Sequence, residues 1–221
     1  MASKINWKQF WLELVAVLIG VTLAFQLQNW NAKSKDKKEA KLYLQAISSD
    51  LESDIAELVY LADTLSDNLK WSTRLTENLG MRNYNSPTLF PEVLYGMYNI
   101  SAFRPKNSTY ESMKSAGELN LISDFEIRNE LNSLYQWKYD ELAIYDDGHA
   151  EQFYGRVYPY MSKRVQWSSY SSFASSDFIE DVEFGNLAFA AHFTNKRKAE
   201  AYSEAEQMAI DLKAKIDSIL N

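Results

Sequence analysis

Leu14 to Phe25 is an unbroken apolar run, and the chain never repeats it; after Lys33 apolar residues recur only at helical spacing between charged ones. Counted from Phe10 to Leu27, the segment covers about 18 residues, roughly 27 Å of helix against a bilayer core of about 30 Å. Trp7 and Trp11 stand at its entrance and Trp30 at its exit, where interfacial tryptophans belong. From Lys33 to Asn78 there is no glycine or proline. Leu44, Leu51, Ile55, Leu58, Ala62, Leu65 and Leu69 recur there at near-heptad spacing, predicting an amphipathic helix of about 68 Å that Gly80 ends. Nothing between the two segments breaks a helix, so one continuous rod is expected. Residues 83–91 read as a turn, followed by a short helix to about Asn99. Asn107 or Ser108 caps a helix closed by Gly117, and Asp124 caps the next, which Gly148 is expected to break. A further helix runs from about His149 to Lys163, bent near Pro159. The serine-rich stretch 168–176 reads as a loop. A last helix spans about Asn186 to Leu220, and Tyr202, Ala205, Ala209, Leu212, Ile216 and Ile219 give it a stripe to pack antiparallel on the first. The expectation is an all-α protein: residues 1–32 a tail and single N-terminal transmembrane anchor, residues 33–221 a helical bundle domain.

Two other readings of the apolar run stand beside the anchor. A cleavable signal sequence also has basic residues (Lys4, Lys8) before a short apolar stretch, but the exit at residues 25–30 lacks small residues for cleavage. A buried core helix is the other, and the flanking tryptophans weigh against it. Glu13 is the one ionisable residue in the span. It is read as lying within a turn of the interface, with two alternatives: an acidic group serving an ion-driven complex, or, with Thr22 and Gln26, hydrogen bonding between anchors in an oligomer. Lysines flank both ends of the span. The basic bias after Lys33 favours a cytoplasmic body, while a short N-terminal tail commonly stays inside. An inner-membrane, single-pass arrangement with a periplasmic C-terminal domain is the expectation adopted.

Charge sharpens the division. Of the chain's net −7, residues 1–41 contribute seven lysines against Glu13, Asp36 and Glu39, leaving −11 on the rest. Such a body repels nucleic acid, which is not expected as a partner, while the lysines at the membrane surface suit anionic lipid. The absence of cysteine excludes disulfides, thiolate metal sites and thiol catalysis.

At residues 109–122 (TYESMKSAGELNLI), together with residues 13–31 (ELVAVLIGVTLAFQLQNWN), the chain resembles a family of uncharacterised, membrane-anchored helical envelope proteins of Bacteroidota-type bacteria. Gln28 stands where that family usually has Asn, and Ala116 where it often has Ser. The resemblance spans nearly the whole chain and implies the anchor and the helical body, with no activity to carry over.

The remaining chemistry is sparse. Asp146-Asp147-Gly148-His149 lacks the ligand alternation of a calcium loop and reads as a solvated helix end. The serines lack a base partner, and no catalytic, cofactor or metal set can be named, so no enzyme is expected. Asn107-Ser108-Thr109 matches a glycosylation acceptor, which is of little weight if the source is bacterial, as the resemblance implies. Aromatic residues crowd the stretch from Tyr135 to Phe173, Trp167 and Tyr170 among them, and read as core with a recognition rim. Tyr110, Gly117, Leu121, Tyr135, Trp137 and Tyr139 are the candidate interaction residues, with the lipid bilayer and a second copy or a membrane protein as expected partners. Three functions follow: a structural or interaction protein of the envelope, a small-molecule sensing bundle, and an accessory subunit of an ion-driven complex using Glu13.

Overall fold

A single α-helix, α1 (Trp7–Gly80), carries the apolar run and the long amphipathic segment without interruption, about 110 Å of rise. The computed structural model describes residues 7–166 and 172–220, so Trp167, Tyr170 and the first part of the serine-rich stretch lie outside the described residues, as does the Trp7 side chain. Residues 11–33 of α1 are exposed throughout, and the first buried side chain is Ala40. One helix, near the N-terminus, is thus long and apolar enough to cross a membrane.

Beyond Ala40 two interleaved heptad series face inward: Leu44, Leu51, Leu58, Leu65 and Ser72, and Ala40, Ile47, Asp54, Leu61, Asn68 and Leu75. The predicted stripe is rotated from this, since Ile55, Ala62 and Leu69 are only half-buried. The physical reason is that Asp54, Asn68 and Ser72 occupy core positions that an apolar pattern skips. The last helix, α7 (Val182–Leu220), repeats the seam as Phe184, Ala188, Ala191, Asn195, Lys198, Tyr202, Ala205, Ala209, Leu212 and Ile216, with Ile219 exposed. The two helices pack antiparallel in constant register: Ser48 donates to Asp217 (2.6 Å), Lys213 approaches Glu52 (3.9 Å), and Ser72 meets His192 (3.3 Å).

Between them the chain returns through short helices. Helix α1 ends in a Schellman motif: Asn83 N–H donates to Asn78 O (2.8 Å) and Arg82 N–H to Leu79 O (3.1 Å). The left-handed residue is Arg82 (φ 54), not the expected Gly80. Helix α2 (Leu89–Met97) lies so close on α1 that a Cβ at Gly96 would sit 2.9 Å from Ser72 Cα. Helix α3 (Ser108–Ala116) ends at Gly117 (φ 72), whose N–H returns to Lys114 and Met113 carbonyls, and a 3-10 turn (Glu118–Leu121) follows. Asn107 precedes α3 without a capping side-chain bond.

Asp124 caps α4 (Phe125–Asn132) through Glu126 N–H (2.8 Å) and Ile127 N–H (3.1 Å). From there α4, a π turn (Ser133–Lys138), α5 (Tyr139–Gln152), a second π turn (Phe153–Val157) and α6 (Tyr158–Met161) run on as one helix. The break expected at Gly148 does not occur. A helix interior tolerates glycine at about 1 kcal/mol, which flanking core contacts such as Leu142 and Phe153 offset. The fold is all-α; among the described residues there is no strand, only an isolated bridge between Val165 and Phe173.

Candidate functional site

The packed body divides into two apolar cores. One gathers Leu44–Leu65 of α1 with Ala201–Ile216 of α7, Tyr110, Ile127 and Leu131; the other gathers Leu75, Leu89, Val93, Met97, Phe153, Phe178 and Phe184. Between them lies a buried polar layer. Lys198 Nζ pairs with Asp146 Oδ1 at 2.8 Å, the two side chains 0% and 1% exposed, and donates to Ser101 O at 2.7 Å. Tyr202 OH donates to Asp146 (2.7 Å) and accepts from Phe103 N–H (2.9 Å), which also donates to Asp146 Oδ2 (3.0 Å). His149 Nδ1 is 3.4 Å from Lys198 Nζ; burial and then the ammonium push its imidazole down to about 4, so it stays neutral near pH 7. The stretch read as a solvated helix end is therefore the centre of a buried network, because α5 continues through Gly148 and turns Asp146 and His149 inward. Asn195 donates to Gly96 O (2.9 Å) and completes the layer. Among the described residues, no three acidic or histidine side chains come together as a metal site.

A single layer of charge between two apolar cores fixes register, since sliding α7 by one heptad would strand Lys198 or Asp146 unpaired. Both charges are enclosed, their side chains at most 1% exposed. The residues that build it, apart from the aspartate–histidine stretch, left only one signal in the sequence, the break that Asn195 and Lys198 make in an otherwise apolar heptad.

The aromatic candidates form a second feature. Tyr110 stacks on Tyr135 (4.7 Å), Tyr135 meets Tyr139 edge-on (5.2 Å), and Tyr139 meets Phe103 (5.0 Å). Tyr110, Tyr135 and Tyr139 are buried in the core, and Trp137 is the exposed aromatic among the candidate interaction residues. They pack inward because the π turn at Ser133–Lys138 re-aims Tyr135 and Tyr139 at the core. Beside them Asp54 accepts from Lys106 N–H (2.7 Å), and burial pushes its carboxyl up to about 6 against that bond. Burial, then the charge of Asp54, raises the Tyr139 phenol well above its usual range.

Several concavities open on the surface of the described residues, and two of them adjoin residues discussed above. A cleft of about 490 Å³ lies where α1 emerges toward the bundle, between Lys33, Lys37 and Lys41 on one side and Asn120, Leu121, Ile122, Ile219 and Leu220 on the other. It unites the basic stretch with the corner that Gly117 starts: Tyr43 OH donates to Glu118 (2.5 Å) and Lys41 Nζ to Leu220 O (3.3 Å), pinning corner and α7 end to α1. Gly117 itself is exposed beside it and Leu121 half-buried in its wall. The second, about 600 Å³, is a shallow groove along Asn68, Tyr95, Ile100 and Ser101, over the polar layer. There Asn68 Nδ2 and Ser101 Oγ are buried without a hydrogen-bond partner. Trp11 and Glu13 lie exposed on the bare part of α1, Trp30 lies exposed one turn before the cleft residue Lys33, and Thr22 Oγ1 bonds to Leu18 O (2.8 Å) within its own helix.

Residues 13–196 match the family of unknown function DUF6090, and the chain belongs to that family. No curated protein and no solved structure matches it.

Proposed function

We propose that this member of the DUF6090 family is a single-pass membrane protein of the bacterial envelope, whose helical body is held off the bilayer on a rigid stalk and serves as a structural or interaction module. The observation that carries the reading is the continuity of α1: an apolar segment with none of its surface buried runs without a break into the heptad seam of the body. Exposing so large an apolar surface to water is costly, at roughly 25 cal/mol per Å², and lipid or another protein relieves it. The inner membrane, a periplasmic body and self-association or a membrane-protein partner complete the proposal, with Trp137, 76% exposed, on the body's recognition surface. Washing membranes in alkaline carbonate should leave the chain in the pellet and detergent should release it. Full-length chain recovered in the carbonate supernatant refutes the anchor, and a strict monomer by crosslinking in native membranes, with no co-purifying protein, refutes the interaction role.

A second reading, a sensing bundle for a small polar molecule, is favoured by one observation: two buried, partnerless polar atoms belong to residues that line the Asn68–Ser101 groove. A ligand there would accept from Asn68 Nδ2. Replacing Asn68 by Leu should then abolish ligand-induced stabilisation while leaving the fold intact.

A further inference from the structure

We propose that the cleft at the base of the bundle is a binding site for the head group of an anionic phospholipid, drawn from the bilayer that anchors α1. The inference rests on the membrane-anchored reading and adds a ligand to it.

The residues that α1 contributes to the cleft, Lys33, Asp36, Lys37, Ala40, Lys41 and Leu44, follow at alternating intervals of three and one, a single helical face. One turn further down, that face reaches Trp30. With Trp30 at the edge of the hydrocarbon, Lys33 stands about 4.5 Å above it and Lys37 about 10 Å, against a head-group layer of about 5–7 Å on each side. Side chains on a helix lean toward its N-terminus. On a helix rising from the bilayer, these lysines therefore lean back to the lipid phosphates, and their reach covers the remaining gap.

Charge selects the ligand. Neither Lys33 nor Lys37 forms an ion pair among the described residues. Of the two acidic side chains in the lining, Asp124 is committed to capping α4, with Oδ1 accepting from two backbone N–H groups. Asp36 remains, so the lysines outnumber it on the α1 face. Lys41 is held by Leu220 O and closes the upper end. Opposite the lysines, Leu121, Ile122 and Ile219 give an apolar wall, and Ile219 is 51% exposed at the rim, where the glycerol and first methylenes of a lipid would lie. A free inorganic anion would use the lysines and leave that wall bare to water; a phospholipid uses both.

The chain contains no cysteine, so Ser123→Cys gives a single labelling site at the cleft. Full-length protein carrying an environment-sensitive dye there is reconstituted into phosphatidylcholine vesicles with a rising mole fraction of phosphatidylglycerol. A saturable emission change is expected. Its midpoint should move to higher phosphatidylglycerol by about twenty-five-fold in Lys33→Gln/Lys37→Gln, about fivefold for each lysine lost. An equal response to both lipids, or an unchanged midpoint in the double variant, overturns the proposal. So does glycerol phosphate reproducing the change in pure phosphatidylcholine, which assigns the cleft to a soluble anion. A change that follows protein density instead of lipid charge assigns it to a second copy. Failure of the anchored reading shows separately, as protein that does not float with vesicles of either composition.

Discussion

Replacing Lys198 by Met removes one half of the only fully enclosed ion pair among the described residues and tests whether the polar layer holds the two cores together. The methionine fills similar volume, so the cost is electrostatic. Asp146 keeps Tyr202 OH and Phe103 N–H as donors but loses its countercharge, and Ser101 O loses its donor. Leaving one buried charge unpaired costs about 3–5 kcal/mol, and the two retained hydrogen bonds place this case near the lower end, about 3 kcal/mol. Urea unfolding of the full chain in mild detergent, followed by near-ultraviolet circular dichroism of the packed tyrosines, reads the unfolding of the body. The double variant Asp146→Leu/Lys198→Met should be markedly more stable than Lys198→Met alone, because it leaves no orphan charge. A loss below about 1 kcal/mol, or costs that simply add in the double variant, would refute the reasoning.

Two buried groups give opposite pH dependence. His149, depressed to about 4, binds its proton more weakly folded than unfolded, so its contribution is present near neutrality and is lost as pH falls from about 6.5 to about 4, by about 3 kcal/mol. Asp54, raised to about 6, does the reverse: its contribution is full below about pH 4 and is lost as pH rises through 6, by about 1–2 kcal/mol after allowing for screening by solvent. His149→Gln should therefore resist acid better than the parent, and Asp54→Asn should lose its relative gain at low pH; urea midpoints across that range that leave both variants parallel to the parent contradict the assignment. Gly96→Ala should destabilise by about 1–3 kcal/mol, since its Cβ would press on the α1 backbone at Ser72, and a neutral effect on the melting midpoint would show that α2 can retreat. Arg82→Gly should stabilise by about 1 kcal/mol by relieving a left-handed non-glycine residue, and calorimetry showing a loss would mean that the Arg82 side chain makes up for its backbone.

Helix content and order were legible because periodicity and caps are local: Gly117 and Asp124 terminate and start helices as their chemistry dictates, and the antiparallel pairing of the long helices follows from two matching stripes. The exact seam was not legible. Asp54, Asn68 and Lys198 hold core positions, and a polar residue announces burial only through a partner distant in sequence. Gly148 misled for the same reason, since tertiary contacts on either side of it hold a helix that its own propensity would end. The basal cleft needed the fold itself. Lys33 and Ile219 stand at opposite ends of the body's sequence, and only the reversal of α7 against α1 brings them to one rim.

No glycine or proline lies between Gly20 and Gly80, so the exposed apolar part of α1 and the part inside the body turn as one piece. With the span seated in a bilayer as proposed, an inclination of about 20° within the lipid would carry the far end of the helix about 25 Å sideways. The azimuth chosen by whatever grips the span therefore dictates which flank of the body faces a neighbour. Such a lever has no joint at which the two halves could be set independently.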